Sequence, residues 1–319
     1  MRSVSRSRCE GFWSRRRPNQ MPEDHEDIIE IEGLVKRFGD QTVLNGINLT
    51  IHPGETMVIM GGSGSGKSTL LRNMIGTFTP EEGSVKLFGK DLATLDEEGM
   101  NEVRKQFGIL FQSGALFQSL TVAENVALPL EEHTDLDANI IDFMVKIKLE
   151  LVGLRDAADK YPAQISGGMK KRAGLARALA LDPKILFYDE PSAGLDPVTS
   201  AAIDQLMVDL TRKLGVASIV VTHEMDSAFT IADRMAMLHK GRMIMVDTRE
   251  AYEKLRDYPQ DRIGELTEEQ QLIRQFLRGD HEGPMTESHT QNSYEEDLLG
   301  ADLSKLTGGR AIQTTRRIK

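Results

Sequence analysis

Residues Thr56–Thr69 read TMVIMGGSGSGKST. A short apolar run passes straight into a loop with glycines at 61, 62, 64 and 66. Lys67, Ser68 and Thr69 then open the helix-forming run LLRNMI. Gly61, Gly62, Ser63, Gly64, Ser65, Gly66, Lys67, Ser68 and Thr69 satisfy the pattern G-x-x-x-x-G-K-[ST] in full, in the strand-to-helix context that it requires. Glycines let the loop turn its N–H groups inward around phosphate oxygens, and the helix start adds a partial positive charge. Lys67 would reach the β- and γ-phosphates of a nucleotide, and the Ser68 hydroxyl would ligate Mg²⁺. A flexible linker explains the glycines but not the lysine–serine pair after a buried strand.

Outward from this loop, strand-like runs fall at Ile28–Ile31, Ser84–Phe88, Gly108–Phe111, Ile185–Tyr188, Ala217–Val221 and Met235–Leu238, with Thr56–Met60 leading into the loop itself. Helix-period segments fall at Ser68–Met74, Gly168–Leu181 and Val198–Leu214, the last introduced by Asp196 as N-cap and Pro197 in the first turn. Strands alternating with helices predict an α/β fold with a largely parallel sheet.

The run KILFYDEP, residues 184–191, is a buried strand ending in two adjacent acids. Alternation at the strand end would send their side chains different ways. Asp189 is then free to hold the Mg²⁺ shell while Glu190 orients or deprotonates a water at the γ-phosphate. An acidic turn after a strand is common in itself, and the phosphate loop elsewhere in the chain favours the catalytic reading. SIVVTH, residues 218–223, is another buried strand ending in a polar residue. His223 lies where ligands of open α/β sheets sit and could hydrogen-bond the γ-phosphate. Gln112 closes a third strand, where an amide can touch the metal or the attacking water.

QISGGMKKRAGLARAL, residues 164–179, offers a second anion-binding helix start. Ser166, Gly167 and Gly168 supply a hydroxyl, exposed N–H groups and a helix dipole. Two such sites for one nucleotide imply a fold-back within the chain or a sandwich between chains, and spacing does not choose between them.

The chain has 319 residues, 39% of them hydrophobic, enough for one large globular domain with tails. A formal net charge of −10 argues against general nucleic-acid binding. Cys9 is the single cysteine, so no intramolecular disulfide or thiolate metal cluster can form. No apolar run approaches the ~20 residues of a spanning helix. Residues 1–20 are Arg-rich and acid-poor. They read either as a transit peptide or as a dispensable leader before Met21, and the second reading is preferred. Beyond about Gly279 the chain is polar, with apolar punctuation at Leu298, Leu299 and Leu303 that suggests a docking tail.

The phosphate loop (Walker A), Gln112, ISGGM at 165–169, LFYDEP at 186–191, SAGLDP at 192–197 and VTH at 221–223 occur in that order. The chain thereby resembles the nucleotide-binding subunit of an ABC transporter over about residues 28–256. The resemblance implies the P-loop NTPase fold of ABC ATPases, in which an antiparallel β subdomain and a helical subdomain at about 113–165 accompany the parallel core. It implies ATP and Mg²⁺ as cofactors, with Ser68, Gln112 and Asp189 on the metal. Phe38 would stack on adenine, although tyrosine is more usual there. Asp196 would communicate between sites, and Ser166, Gly167, Gly168 and Met169 would meet the ATP held by a second copy of the chain. Met169 departs from the usual glutamine.

Gln112–Phe117, ALPL at 127–130, SGGMKKRAGLARAL and the C-terminal elements at 274–277, 283–284 and 297–300 are similar to the ATPase subunit of Mla-type phospholipid transporters. That resemblance implies a membrane permease, an MCE-domain lipid-binding protein and a STAS-domain regulator as partners. It places the chain peripherally on the cytoplasmic face of the inner membrane. The segment 257–319 would be a partly disordered extension docking on the partner ATPase, with no counterpart for residues 301–319. The rival readings are the ATPase of another ABC exporter and an ABC signalling ATPase at the division site. A two-cassette translation factor and a P-loop kinase do not fit one loop with one ISGGM.

Overall fold

The computed structural model describes residues 27–287. The leader, Cys9, Met21 and the tail elements at Leu298, Leu299 and beyond lie outside the described residues.

Among the described residues, ten strands form two sheets. In chain order they are β1 (Ile29–Phe38), β2 (Gln41–Ile51), β3 (Thr56–Met60), β4 (Glu82–Leu87), β5 (Lys90–Asp91), β6 (Phe107–Leu110), β7 (Ile185–Asp189), β8 (Ala217–Val221), β9 (Arg234–His239) and β10 (Arg242–Thr248). The larger sheet has the order β10-β9-β3-β8-β7-β6, parallel from β9 to β6 with only β10 antiparallel. The smaller one, β2-β1-β4-β5, is antiparallel throughout.

Every residue of β3 is buried, because the parallel sheet is covered on both faces and its strands are apolar on both. Strand alternation divides them between two cores. Met57, Ile59, Phe187 and Ile219 pack with the antiparallel sheet and helix α1 (Lys67–Met74). Val58, Met60, Tyr188 and Val220 pack on the opposite side, under the remaining large helices. Helix α2 (Glu97–Arg104) precedes β6, while α3 (Val122–His133) and α4 (Ala138–Leu151) occupy the stretch between β6 and α5 (Gly167–Ala178). Thr121 and Glu124 close a reciprocal cap on α3. The fully buried Asn125 ties down the preceding loop by donating to the carbonyls of Phe117, Leu120 and Thr121.

Helix α6 (Pro197–Leu214) starts as its sequence predicts, with Asp196 accepting from the N–H groups of Val198 and Thr199. It is followed by α7 (Met225–Ile231), α8 (Arg249–Arg256), α9 (Glu268–Arg278) and α10 (Pro284–Glu287). On α9, Arg274 is 2% exposed and donates through Nε to the Tyr258 carbonyl. The neighbouring Gln275 accepts the Met285 N–H, which seats α10 on α9.

The central strands lie where the sequence predicts them, and the edges do not. β1 runs seven residues past Ile31, and β2 and β10 carry no matching apolar run. Register shifts interrupt the β1–β2 ladder at three places, which destroys the period-two pattern. β10 is a half-exposed edge strand. Helix α5 stops at Ala178 rather than Leu181, before a turn in which Asp182 adopts φ 51°.

Candidate functional site

The phosphate loop leaves the end of β3, and tight packing fixes its shape. Gly61 has φ 155°, and a Cβ there would lie 2.1 Å from the Leu238 carbonyl oxygen on the adjacent strand. Only glycine fits that approach. Gly66 caps α1 without any side-chain hydrogen bond, so the first-turn N–H groups of the helix stay free to meet an anion. Residues Gly64–Thr69 and Val43 line an open hollow of about 220 Å³. Ser63 and Ser68 are exposed, and Ser65 is buried with its Oγ unpartnered among the described residues. The Lys67 ammonium donates to the carbonyls of Gly61 (2.7 Å) and Gly62 (3.1 Å). Burial pushes it below the ordinary lysine range, and Glu190 and Asp189 pull it back up. Both acids are therefore within electrostatic reach of the loop.

Asp189 is the last residue of β7. Burial first, and the Glu190 charge second, push its carboxyl above the ordinary range. Glu190 lies beyond the strand with φ 48°, so left-handed backbone, not strand alternation, separates the two acids. That conformation is uncommon for a residue with a Cβ. The Glu190 N–H donates to the Val221 carbonyl at 2.9 Å. Its Oε1 is 2.9 Å from His223 Nδ1, and its Oε2 is buried without a partner. A carboxylate only accepts, so the imidazole N–H at Nδ1 donates to it.

Gln112 is exposed in the turn after β6, one residue beyond the loop residue Phe111 that was expected to end the strand. Phe38 ends β1 and is 46% exposed, with its ring edge-on to Phe78 at 5.3 Å between centroids. The Lys36 ammonium is 5.4 Å from the Phe38 centroid. Phe78 carried no signal in the sequence.

Ser166 caps α5, its hydroxyl accepting from the Met169 N–H at 3.3 Å. Gly168 has a packing role that the sequence did not disclose, since a Cβ there would sit 2.4 Å from Thr199 Cγ2. Thr199 in turn donates its hydroxyl to Asp196 Oδ2 at 2.5 Å. Asp196 and the start of α5 are thus joined through one threonine. No recorded hydrogen bond links Ser166, Gly167 or Gly168 to residues 61–69 among the described residues. Two further neighbours escaped sequence reading. Lys171 donates to the Glu190 carbonyl, and Met285 Cε would lie 3.7 Å from a Cβ on Gly62.

The ABC transporter family model matches residues 44–193. The probable ribonucleotide transport ATP-binding protein mkl of Mycobacterium leprae is 40% identical over 88% of this chain and 78% of its own length. The intermembrane phospholipid transport system ATP-binding protein MlaF of Haemophilus influenzae is 38% identical over 86% of this chain and 99% of its own. MlaF of Escherichia coli is 36% identical over 88% and 99%. Among solved structures, a dimeric ATP-binding cassette in a post-hydrolysis state with ADP and Pi is 31% identical, with TM-score 0.64, covering 69% of this chain and 98% of the other. A component of the ABC transporter complex cbiONQ from Clostridium perfringens is 31% identical, with TM-score 0.67, covering 76% and 98%.

Proposed function

This chain belongs to the ABC transporter family and is an ATP hydrolase, and from that premise we propose that it drives the movement of phospholipid between two membranes. The Glu190–His223 contact, set at the ends of β7 and β8 in the sheet whose β3 carries the phosphate loop, supports the hydrolytic chemistry most directly. The cargo is inferred from the MlaF relatives, which the chain matches over nearly their whole length. The mkl relative favours a second reading, ribonucleotide transport, at similar identity but over less of that protein.

In this reading the N–H groups of Gly62–Thr69 and the Lys67 ammonium bind the β- and γ-phosphates, and Phe38 lies against the adenine. Glu190 orients a water toward the γ-phosphorus and accepts its proton as the bond to the leaving ADP oxygen breaks. The His223 ring holds that carboxylate in place through Nδ1–H. Its Nε2 donates to the γ-phosphate only when the ring is doubly protonated, which refines the role expected for His223.

The oxygen donors suit Mg²⁺. Ser68 offers a hydroxyl, Asp189 a carboxylate and Gln112 an amide oxygen. Among the described residues no group of three or more His, Cys, Asp or Glu is arranged to hold a metal ion by itself. Magnesium in phosphate-transfer sites takes one or two carboxylates plus substrate phosphates, so this sparse set fits it. When bound, the ion neutralises charge developing on the phosphate oxygens.

A second copy of the chain completes the site, its Ser166–Met169 segment covering the γ-phosphate, with Asp196 joining the two sites. Dimeric cassettes among the structural relatives support this pairing. The division into an ATPase domain over 28–256, a helical insertion over about 113–165 and an extension from 257 belongs to the same proposal. So do a permease, MCE-domain and STAS-domain partners, and peripheral attachment at the inner membrane. No described helix is long and apolar enough to cross a membrane, so the chain would act there through a permease.

The test is a pull-down of tagged Glu190→Gln from detergent-solubilised membranes with ATP, reading proteins and lipids by mass spectrometry. A permease with an MCE-domain protein and phospholipid supports the cargo. A different permease, or no membrane protein, refutes it and leaves the ATPase assignment standing.

A further inference from the structure

We propose that Lys171 is a positioning residue for the hydrolytic carboxylate. Its ammonium, carried on the helix whose start would meet the partner's ATP, holds the backbone carbonyl of Glu190. The proposal rests on the reading of Glu190 as the base, and adds to it a physical link from one nucleotide site to the other.

Three observations carry it. First, Lys171 lies on α5, one turn after Gly168, and is 4% exposed. Its recorded hydrogen bond is Nζ to the Glu190 carbonyl oxygen, at 3.0 Å. A lysine so buried is rare without a counter-charge. Burial pushes the ammonium below the ordinary lysine range, and the charges of Asp189, Glu190 and Glu224 offset part of that cost.

Second, Glu190 needs holding. Its left-handed φ of 48° is a conformation that a residue with a Cβ keeps only when its surroundings enforce it. The Val221 carbonyl accepts its N–H, and its own carbonyl accepts from the Lys171 ammonium at 3.0 Å and, less closely, from the Ala193 N–H at 3.3 Å. The peptide groups on both sides of the Glu190 Cα are therefore fixed from outside the strand. That fixes where the side chain leaves the backbone, and so where the carboxylate meets His223.

Third, α5 is rigidly joined to the rest of the site. Gly168 abuts Thr199. Further along the helix, Arg177 donates to the carbonyls of Gly114 and Ala115, just past Gln112. A helix packed this closely shifts as one body. Any shift that the partner's phosphate imposes on Ser166–Gly168 would move the Lys171 ammonium, and with it the Glu190 carbonyl.

The experiment measures kcat and KM for ATP in the full chain with Lys171→Gln and Lys171→Met. Gln keeps an N–H donor on a side chain one bond shorter, and Met removes the donor at similar volume. The expected order of kcat is Lys, then Gln, then Met, with Met at least about tenfold down and KM within about twofold throughout. Wild-type kcat in Lys171→Met overturns the proposal. So does an equal loss in both variants, or a parallel rise in KM, either of which marks a purely structural role. Should Lys171→Met fail to fold, Lys171→Gln decides: a lowered kcat at unchanged KM supports the tether, and an unchanged kcat refutes it. Glu190→Gln, run alongside, separates the two readings, since undiminished turnover there removes the base assignment whatever the Lys171 series gives.

Discussion

Glu190 Oε1 and His223 Nδ1 stand 2.9 Å apart across the ends of the adjacent parallel strands β7 and β8. The histidine side chain is 61% exposed, whereas that of Glu190 is 15% exposed. A half-buried carboxylate thus takes its orientation from a ring at the mouth of the site. Glu190→Gln should lower ATP turnover by about 10²–10⁴-fold, the usual range for losing a general base, while ATP still binds and holds two chains together. His223→Ala should also lower kcat with ATP affinity kept, because the phosphate loop is untouched. Steady-state hydrolysis beside equilibrium ATP binding checks both, and affinity lost in step with kcat would contradict the assignment.

Lys67 gives a different signature. Its ammonium bridges Gly61 and Gly62 carbonyls inside the loop that it would complete for the phosphates. Hydrogen bonds to charged groups contribute about 1.5–3 kcal/mol. Lys67→Ala should therefore weaken ATP binding by roughly 10- to 100-fold, and Glu190→Gln should leave it intact. Fluorescent-nucleotide titration of the two variants separates binding from hydrolysis.

Asp204 predicts a pH effect. It is buried on α6 and accepts a hydrogen bond from Ser227 on α7. Burial pushes its carboxyl above the ordinary value of 3.8. The folded chain thus holds a proton that the unfolded chain releases. The group's contribution to stability is complete below the unfolded pKa and is lost as pH rises through the folded one. Asparagine cannot ionise and still accepts from Ser227. Asp204→Asn should accordingly gain stability relative to the wild type as pH rises from about 3.5 to about 7.5, with the gap closing at the acid end. Urea midpoints at both pH values measure it, and parallel pH profiles would refute the buried-acid reading.

What the sequence disclosed follows from which residues have no freedom. β3 and β8 were legible to the residue because strands buried on both faces are continuous apolar runs. The phosphate loop was legible because its chemistry dictates residue types at fixed spacing. β2 was not, since its burial alternates irregularly through bulges. Nor was the means by which Asp189 and Glu190 separate. A left-handed glutamate has no sequence mark, and two of the groups that hold its peptides, the Val221 carbonyl and the Lys171 ammonium, are 31 and 19 positions away. The same holds for Gly168. Its place in SGG suggested anion binding, and the packing that also requires it became visible only with Thr199 beside it.

That packing can be tested apart from catalysis. A Cβ on Gly168 would meet Thr199 Cγ2 at 2.4 Å and Thr199 Cβ at 3.9 Å, so the obstruction is a single methyl group. Gly168→Ala should destabilise the chain by about 1–3 kcal/mol, as overpacking typically does, and displace the start of α5. Thr199→Ser removes that methyl and keeps the hydroxyl that donates to Asp196. The double variant Gly168→Ala/Thr199→Ser should therefore recover most of the lost stability. The two residues are in contact, so a coupling of about 0.5–3 kcal/mol is expected. Denaturant midpoints of the four chains give that coupling directly. Stability restored without ATP turnover would mean that Gly168 must also present bare backbone to the nucleotide. Restoration of both would mean that helix packing alone explains the glycine.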